Sequence, residues 1–374
     1  MIDIQAAVVR TQGGEFEMES LSLEEPGPGE VLVRIAGVGV CHTDLVVRDQ
    51  YFPTPLPAVL GHEGSGIVER IGPGVTKVAP GDHVVLSYAS CGQCANCQKG
   101  LYGYCPDLYG RNFAGARPDG SHPCKDGHGH DVSSYFFAQS SFANLALATE
   151  RNTVKIPKDV PVELMGPLGC GIQTGAGAVI NALKPGAGSS IAIFGAGSVG
   201  LAAVMAARVA GCATIIVVDL NDDRLAIARD VGATHTVNAG TQDPIAEIQA
   251  LTGGEGVQYS LECTGLPKVA RQAVDSLRLT GTCGIIGVAP LGTEFALDMN
   301  GILFGRTVRG IIEGDSIPDI FIPQLIELWR QDRFPFDKLV RFYALSEIED
   351  AVRASESGEV LKAILLPDPS IRAA

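Results

Sequence analysis

The spacing of hydrophobic residues changes twice in the middle of the chain. Residues 191–194 form a short apolar run, glycines follow at 195, 197 and 200, and apolar residues 201, 204 and 205 then recur at the spacing of a helix face. A second apolar run over residues 214–218 ends in Asp219. This order predicts a strand, a tight turn, a helix and a second strand, which is the βαβ unit that binds a dinucleotide.

Each part of this unit has a task in binding a dinucleotide. The turn and the start of the helix offer backbone N–H groups and a positive helix end to the pyrophosphate, and the predicted cofactor-binding residues there are Gly195, Gly197, Ser198, Val199 and Gly200. Asp219 is predicted to accept hydrogen bonds from the ribose hydroxyls. Its carboxylate would repel a 2′-phosphate, so the pattern favours NAD over NADP.

A membrane-spanning helix is the alternative for this region, because residues 187–207 carry no charge. Clustered glycines interrupt a helix, however, and Asp219 directly after a β-branched run has no place in a membrane span. The pattern therefore favours the dinucleotide-binding unit.

The same patterns divide the whole chain into three segments. Residues 1–160 are predicted to form a β-rich domain, because apolar residues alternate over 31–35 and further strands are expected over 64–71 and 83–86. Residues 161–305 are predicted to form a doubly wound α/β domain, with helices over 222–231 and 268–279 and strands over 257–263 and 282–288. Residues 306–374 add an edge strand over 307–313, a helix from a Ser346–Glu349 capping box to Gly358, and a strand over 360–365.

Composition and charge limit the partners of this protein. The 374 residues are 46% hydrophobic and 19% charged, with a net charge of −14. Such an acidic chain repels nucleic acid and anionic membranes, so a small molecule is the expected partner. The first ten residues lack the apolar core of a signal peptide, which predicts a reducing cytoplasm, where metal binding by the ten cysteines outranks disulfides.

Four cysteines, Cys91, Cys94, Cys97 and Cys105, lie within fifteen residues. Four thiolates so close together can surround one ion tetrahedrally, as in a closed structural zinc site. An iron–sulfur cluster and free thiols remain alternatives. Pro106 suits a cluster, but seven residues precede the last cysteine where the ferredoxin pattern has three.

A second possible metal site is spread along the chain, over Cys41, His62, Glu63 and Cys170. Singly, each cysteine or histidine is more often a buried thiol or a hydrogen-bonded core residue than a ligand. Together, two thiolates and one imidazole would neutralise Zn²⁺ and leave a fourth position open for a substrate oxygen, as catalysis requires.

The order of these motifs resembles the zinc-dependent medium-chain alcohol dehydrogenases. The match runs through Cys41-His-Thr-Asp44, Gly61-His-Glu-Gly64, the four cysteines, Gly169-Cys-Gly171 and the glycine-rich turn. The resemblance implies a GroES-like catalytic domain, completed by the C-terminal segment, with a Rossmann domain inserted. It also implies that Cys41, His62 and Cys170 bind the catalytic zinc, that Glu63 can visit the metal, and that Asp44 orients the histidine.

The resemblance extends to the cofactors and the reaction. It implies NAD, two zinc ions per chain, and hydride transfer from a zinc-bound alkoxide, with Thr43 accepting the alcohol proton. Further cofactor contacts are expected from Thr174 at the nicotinamide, Arg224 at the adenosine ribose, His42 and Lys362 at the pyrophosphate, and Val288. Relatives of the liver type carry a histidine where this chain has Val46, so the later part of the proton route must differ.

Within the family, Val46 and the run over residues 169–175 resemble the bacterial aryl-alcohol dehydrogenases, which oxidise benzyl-type primary alcohols to aldehydes. Glutathione-dependent formaldehyde dehydrogenases are the near alternative. They have an arginine where this chain has Tyr109, although Arg111 is close by. A non-catalytic cofactor binder or a zinc-free quinone reductase is the alternative from another class, and a homodimer or homotetramer is the expected assembly.

Two remaining groups of residues are expected to have no catalytic role. Residues 121–131 gather three histidines and Cys124, but alternating glycines and charges predict a solvated loop. Cys212, Cys263 and Cys283 lie in or beside apolar strands and are predicted to be core thiols.

Overall fold

The computed structural model describes residues 1–368, which form two compact units. The first comprises Met1–Cys170, Ile317–Pro323 and residues 337–368. The second comprises Gly171–Ser316 and Gln324–Phe336.

The regular elements are numbered in chain order. The strands are β1 (Ile2–Val9), β2 (Phe16–Leu23), β3 (Glu30–Gly39), β4 (Ala58–Val59), β5 (Glu63–Ile71), β6 (His83–Leu86), β7 (Cys124–Lys125), β8 (Asp131–Val132), β9 (Leu145–Thr149), β10 (Thr153–Ile156), β11 (Ser190–Phe194), β12 (Thr214–Asp219), β13 (His235–Asn238), β14 (Val257–Glu262), β15 (Leu277–Ile285), β16 (Thr307–Gly310), β17 (Val340–Ala344) and β18 (Lys362–Leu366). The α-helices are α1 (His42–Arg48), α2 (Ala95–Gln98), α3 (Leu108–Phe113), α4 (Gly171–Gly177), α5 (Ser198–Val209), α6 (Asp222–Val231), α7 (Pro244–Leu251), α8 (Pro267–Asp275), α9 (Met299–Leu303), α10 (Pro318–Arg330) and α11 (Ile348–Glu356). A π-helical turn over Ala178–Leu183 follows α4, and short 3-10 turns lie at Tyr102–Tyr104, Phe136–Ala138, Val162–Leu164, Gly166–Gly169, Glu313–Asp315, Phe336–Leu339 and Leu345–Glu347.

The first unit is built on two β-sheets. One has the strand order β4-β1-β2-β7-β8, and the other has the order β10-β6-β5-β3-β18-β17 with β9 paired to β3. Strand β18, from the end of the chain, pairs antiparallel with β3 at Gly39 and Val38. The C-terminal segment therefore completes the sheet of the first unit.

The second unit is a six-stranded parallel sheet in the order β13-β12-β11-β14-β15-β16. This is the order of a doubly wound dinucleotide-binding fold, in which β11 and β14 form the switch point. Residues such as Phe194, Ile216 and Cys283 are buried in its core. The predicted fold class is confirmed.

The segment over residues 162–169 belongs to the first unit, although the sequence placed a boundary at 160. The Ser65 hydroxyl donates to the Val162 carbonyl at 2.6 Å, and a Cβ at Gly37 would lie 2.1 Å from the Glu163 carbonyl oxygen. These close backbone contacts hold the segment on β3 and β5, so the second unit begins only at Gly171.

The helix predicted over 268–279 is too long at its C-terminal end. Helix α8 ends at Asp275, and β15 begins at Leu277. Leu277 pairs with Val257 and is 1% exposed, so burial in the sheet outweighs the helical spacing of the sequence.

The capping box predicted at Ser346 and Glu349 is wrong. Glu347 instead accepts a hydrogen bond from the Ala344 N–H at 2.8 Å, and α11 begins at Ile348. The Glu349 carboxylate accepts a 2.7 Å hydrogen bond from the N–H of Phe16, which is buried at the start of β2. A contact over 333 residues is not visible in local sequence.

The predicted edge strand forms β16, which is the end strand of the parallel sheet in the described part of the chain. It is shorter than expected, because the backbone turns at Glu313, Gly314 and Asp315 with positive φ angles.

The predicted loop over 121–131 contains a small hairpin, since β7 and β8 pair at Cys124 and Val132. Cys124 is fully buried, whereas His128 and His130 are exposed. Cys283 is buried as predicted, while Cys212 and Cys263 are only partly so. No helix within residues 1–368 is long and apolar enough to cross a membrane.

Candidate active site

Four side chains from three separate segments meet in the first unit. Cys41 immediately precedes α1, His62 immediately precedes Glu63 at the start of β5, and Cys170 follows the turn over Gly166–Gly169. One potential ligand atom from each lies within 4.8 Å of the others. The structure thus brings together the four residues of the second possible metal site.

The His62 ring is fixed by Asp44, and both side chains are fully buried. Asp44 Oδ1 lies 2.8 Å from His62 Nδ1 and also accepts from the Gly61 N–H at 3.1 Å. Its Oδ2 accepts from the Cys41 N–H at 2.9 Å. One carboxylate therefore sets the histidine tautomer and holds the backbone of a neighbouring cysteine.

The donor set fits a zinc ion. His62 Nε2 is buried and has no hydrogen-bond partner in the described structure, and it lies beside two thiols and a carboxylate. An unpartnered imidazole nitrogen next to two sulfurs is the ligand chemistry of zinc. The residues that would hold zinc are Cys41, His62 and Cys170.

Negative charge gathers around the unpartnered nitrogen. A hydrogen bond from Cys170 holds the pKa of the Cys41 thiol well below its ordinary value, against the effect of burial. Burial lowers the pKa of the His62 ring, but the Asp44 carboxylate and the Cys41 thiolate outweigh it and raise that pKa. The raised pKa of His62 reflects its negative neighbours, and the lowered pKa of Cys41 favours the thiolate form that binds a metal ion.

Glu63 is held away from solvent by a lysine. Lys362 Nζ donates to the two Glu63 carboxylate oxygens at 2.9 and 2.8 Å and to the Val40 carbonyl at 3.1 Å. Burial raises the pKa of the Glu63 carboxyl, and the Lys362 ammonium limits the rise. A Cβ at Gly39 would lie 2.0 Å from Glu63 Oε2, so only glycine leaves room for this carboxylate.

Lys362 was expected at the cofactor pyrophosphate. The structure buries it to 2% exposure and directs its ammonium to Glu63. The phosphate contact stays a prediction, and the lysine's role in the described structure is to neutralise a buried carboxylate.

The four cysteines of the predicted structural zinc site converge in one loop. Their sulfurs lie within 4.8 Å of one another, and the Cys91 and Cys97 sulfurs are 3.9 Å apart. Backbone N–H groups of Cys94, Cys97 and Cys91 point at the sulfurs of Cys91, Cys94 and Cys105. N–H donors at Gln93 and Cys94 lower the pKa of Cys91 to about 6, as suits a thiolate ligand.

Aromatic side chains surround His62. Its ring stacks on Phe137 with centroids 4.4 Å apart and meets Phe136 edge-on at 5.4 Å. Phe113 contacts both phenylalanines, and Phe52 and Tyr109 pack against Phe113. Because Tyr109 is 47% exposed, these rings form a continuous series from the buried ligand to the surface.

The glycine-rich turn of the second unit has the geometry that a dinucleotide site needs. Gly195 has a φ of 100°, and a Cβ at Gly200 would lie 1.9 Å from the Gly195 carbonyl oxygen. A Cβ at Gly197 would meet no other atom within 4 Å, so the backbone there is open to a ligand. Ser198 and Val199 form the first turn of α5.

Asp219 ends β12 beside this turn. Its Oδ2 accepts a 2.6 Å hydrogen bond from the Ala196 N–H, and its Oδ1 accepts from the Asn221 N–H at 2.9 Å. The carboxylate is therefore held next to the second residue of the turn, where the adenosine ribose of a dinucleotide would bind.

The other expected contact residues are distributed over both units. In the first unit, His42 is exposed and Thr43 half-buried in the first turn of α1, whose Val46 is buried. In the second unit, Thr174 Oγ1 lies 3.4 Å from Glu313 Oε2, and Arg224 follows Asp219 in the first turn of α6.

Val288 is the last expected cofactor contact. It is 41% exposed and lies against Gly265, where a Cβ would come within 2.1 Å of its carbonyl oxygen. The roles of these contact residues in binding NAD stay predictions.

Sequence reasoning did not find the residues that support His62. Gln139 is fully buried and donates to the His62 carbonyl at 2.9 Å, and Phe137 stacks on the ring. No spacing rule marks them, because they reach the site through an irregular segment. The aromatic cluster Tyr135-Phe136-Phe137 was the available signal.

Comparison with known proteins agrees with this geometry. The alcohol dehydrogenase GroES-like domain family matches residues 27–158, and the zinc-binding dehydrogenase family matches residues 198–329. Geraniol dehydrogenase from Castellaniella defragrans is 47% identical over 98% of both chains. The chain belongs to the zinc-dependent medium-chain alcohol dehydrogenase family, whose members use NAD and zinc.

Two further relatives bear on the substrate. The crystal structure of benzyl alcohol dehydrogenase from Acinetobacter calcoaceticus is 51% identical, with a TM-score of 0.95 over 98% of this chain and 99% of that one. S-(hydroxymethyl)glutathione dehydrogenase from Paracoccus denitrificans is 34% identical over 97% of this chain and 99% of its own length. The protein is thus an NAD-dependent zinc alcohol dehydrogenase.

Proposed function

We propose that this enzyme oxidises benzyl-type primary alcohols to aldehydes with NAD. The series of aromatic rings from His62 to Tyr109 is the observation that carries the proposal. Rings in offset and edge contact attract another aromatic ring by about 0.5 to 1.5 kcal/mol beyond the burial of its area. A substrate with a phenyl group gains this attraction, whereas ethanol does not.

The chain's own residues divide the chemistry between them. Zinc bound by Cys41, His62 and Cys170 would supply a Lewis acid that lowers the pKa of an alcohol. Thr43 offers a hydroxyl that can accept a hydrogen bond from the alcohol. The alcohol gives up a hydride from carbon to NAD and a proton to solvent, which leaves an aldehyde.

The relatives support a substrate of this kind. Two of them are named for benzyl alcohol and geraniol, which are primary alcohols whose carbinol carbon is attached to an unsaturated carbon. A geraniol-like substrate is therefore the nearest competitor of the aromatic one.

The environment of Tyr109 argues against a glutathione substrate. The Tyr109 ring stacks on Phe113 with centroids 4.8 Å apart, and its hydroxyl donates to the Pro53 carbonyl at 3.3 Å. Arg111 Nε lies 2.7 Å from Asp107 Oδ2, so its charge is already paired. Neither residue offers the free cation that a glutathione carboxylate would require.

A substrate comparison tests the proposal. NADH formation is measured with benzyl alcohol, geraniol, ethanol and S-hydroxymethylglutathione. We expect kcat/KM for benzyl alcohol to exceed that for ethanol by about 100-fold, since a buried phenyl group contributes roughly 2 to 3 kcal/mol. Greatest efficiency with S-hydroxymethylglutathione would reject the aromatic assignment, and no NADH with any alcohol would favour a non-catalytic cofactor binder.

A matched pair of variants tests the rings themselves. Phe113→Leu keeps an apolar side chain but removes the contacts with Phe137 and Tyr109. We expect kcat/KM for benzyl alcohol to fall about 10-fold while that for ethanol changes less than threefold. Phe334→Leu makes the same change at a buried site in the second unit, and it should leave kcat/KM unchanged for both alcohols. Equal losses for both alcohols in Phe113→Leu would contradict this role.

We also propose that the enzyme is a homodimer or homotetramer. The end strand β16 follows α9, where Met299, Leu303 and the adjacent Phe304 are 81%, 78% and 62% exposed. An open strand edge beside exposed apolar residues favours pairing with a second copy. Light scattering at micromolar concentration should give at least twice the chain mass, and Phe304→Glu should lower it. A monomeric parent protein would refute the assembly.

A further inference from the structure

The segment Phe136 to Ser141 has an unusual backbone. Phe137, Ala138 and Ser140 have φ angles of 51°, 50° and 47°, in the left-handed region that non-glycine residues rarely adopt. All three are buried. Such conformations cost free energy and persist where the surrounding structure over-determines them, often at functional sites.

Hydrogen bonds fix this segment to the residues directly before His62. The Ser141 and Phe142 N–H groups donate to the carbonyls of Gly61 and Leu60 at 2.8 and 3.0 Å. Asn152 Nδ2 lies 3.1 and 3.2 Å from the carbonyl oxygens of Phe137 and Ala138. The strained residues are therefore held from both sides.

Gln139 lies at the centre of the segment and is fully buried. Its Nε2 donates to the carbonyls of His62 at 2.9 Å and Ser87 at 3.2 Å. Its Oε1 accepts from the Gly64 N–H at 3.1 Å and from the Ser141 hydroxyl at 2.5 Å. One amide thus holds the backbone on both sides of Glu63.

The same segment also fixes the plane of the His62 ring. Phe137 stacks on the ring with an interplanar angle of 28°, and Phe136 meets it at 87°. Asp44 determines which nitrogen of the ring carries the proton and holds the ring at Nδ1, while the backbone and the two phenylalanines hold the rest of the ring and so help to set where Nε2 points. Backbone and ring are both held by residues 136–141.

We propose that Gln139 is a positioning residue of the metal site. By bonding the His62 carbonyl and the Gly64 N–H, it keeps His62 Nε2 directed at the sulfurs of Cys41 and Cys170. The strained backbone around Gln139 persists because it delivers this amide and the two phenylalanines to His62. The inference rests on the family's zinc-dependent activity and is independent of the aromatic substrate proposed above.

Gln139→Met tests the proposal, because methionine has nearly the same size but makes none of the four hydrogen bonds. The readout is the visible spectrum of enzyme with cobalt in the catalytic site, which reports ligand geometry directly. We expect shifted cobalt bands, release of that metal to a chelator about 10- to 100-fold faster, and a kcat about 10-fold lower, with KM for NAD within twofold.

Two other variants separate positioning from general stability. Ser260→Ala removes a fully buried side-chain hydrogen bond, to the Ala273 carbonyl, in the second unit. It should lower Tm without moving the cobalt bands. Ser141→Ala removes one donor to Gln139, together with a 3.2 Å hydrogen bond from the same hydroxyl to the Gly61 carbonyl. It should give a smaller change of the same kind, which keeps the test valid if Gln139→Met does not fold. The proposal is overturned if Gln139→Met and Ser141→Ala both have the cobalt bands and the metal-release rate of the parent enzyme. If only Ser141→Ala folds, the same result in that variant alone overturns it.

Discussion

Replacing Asp219 by Asn should change the choice between NAD and NADP. The Asp219 carboxylate is half-buried and held by the N–H groups of Ala196 and Asn221. Two unit charges about 4 Å apart repel by about 4 kcal/mol at an effective dielectric constant of 20, which suits a partly buried site. A 2′-phosphate beside this carboxylate should therefore lower efficiency with NADP by about 10³-fold.

Asparagine has the size of aspartate but no charge, so most of this repulsion is lost in the variant. We expect the ratio of kcat/KM for NAD over NADP to fall from about 10³ to about 1. Part of the change should be a loss of about 10-fold with NAD, because a neutral amide accepts a weaker hydrogen bond from the ribose.

The assay measures initial rates of NADH and NADPH formation at two salt concentrations, since screening should reduce an electrostatic effect. Asp223→Asn is the control, because Asp223 is an exposed carboxylate in the first turn of α6. It removes the same charge from a position just beyond Asp219 in the chain and should leave the ratio within threefold. The reasoning fails if the parent enzyme uses both cofactors equally, or if Asp219→Asn and Asp223→Asn have the same effect.

Three further predictions concern metal, cofactor binding and stability. Elemental analysis should find two zinc ions per chain. Cys94→Ser should lose one of them, and Cys170→Ser should lose the other together with all turnover. Finding iron, or a single zinc in the parent enzyme, would contradict the two ligand sets. Gly200→Ala should weaken NAD binding in fluorescence titrations and lower the free energy of unfolding by about 1 to 3 kcal/mol, because the added Cβ would collide with the backbone at Gly195. Gly197→Ala should weaken NAD binding without this loss of stability, because its Cβ would meet no other atom within 4 Å. If both glycine variants unfold alike, this distinction is wrong. Glu349→Ala should lower the free energy of unfolding in urea by about 1 to 3 kcal/mol, because it leaves the buried Phe16 N–H without its acceptor. Asp350 is exposed, and an effect no larger than that of Asp350→Ala would refute the contact.

The sequence was informative where chemistry restricts the residue type. Only cysteine, histidine and acidic side chains can bind zinc, so the eight potential ligands could be selected before their distances were known. The turn at Gly195 likewise permits little besides glycine, because its φ is positive and a Cβ there would lie 2.9 Å from Thr264 Cγ2. The parallel sheet followed from strands and helices that alternate along the chain.

The parts of the fold and of the site that the sequence did not predict depend on contacts between residues far apart in sequence. Leu277 follows Ala273 and Val274 at the spacing of a helix face, yet the sheet takes it into β15. Glu349 was expected to cap its own helix but accepts from Phe16. Gln139 and Phe137 carry no recognisable motif, because a left-handed backbone in non-glycine residues is set by the structure around it.

The Glu63–Lys362 pair fixes an order of events while the chain is being made. The two residues are 299 positions apart. Ribosomes add about 5 to 20 residues per second, so roughly 15 to 60 s separate the emergence of the carboxylate from that of its lysine. A carboxylate is costly to bury without a cation, and β5 can enclose Glu63 in its final state only after translation has reached the C-terminal strand. A chain released early would contain every predicted zinc ligand and yet lack the cation that lets their site close.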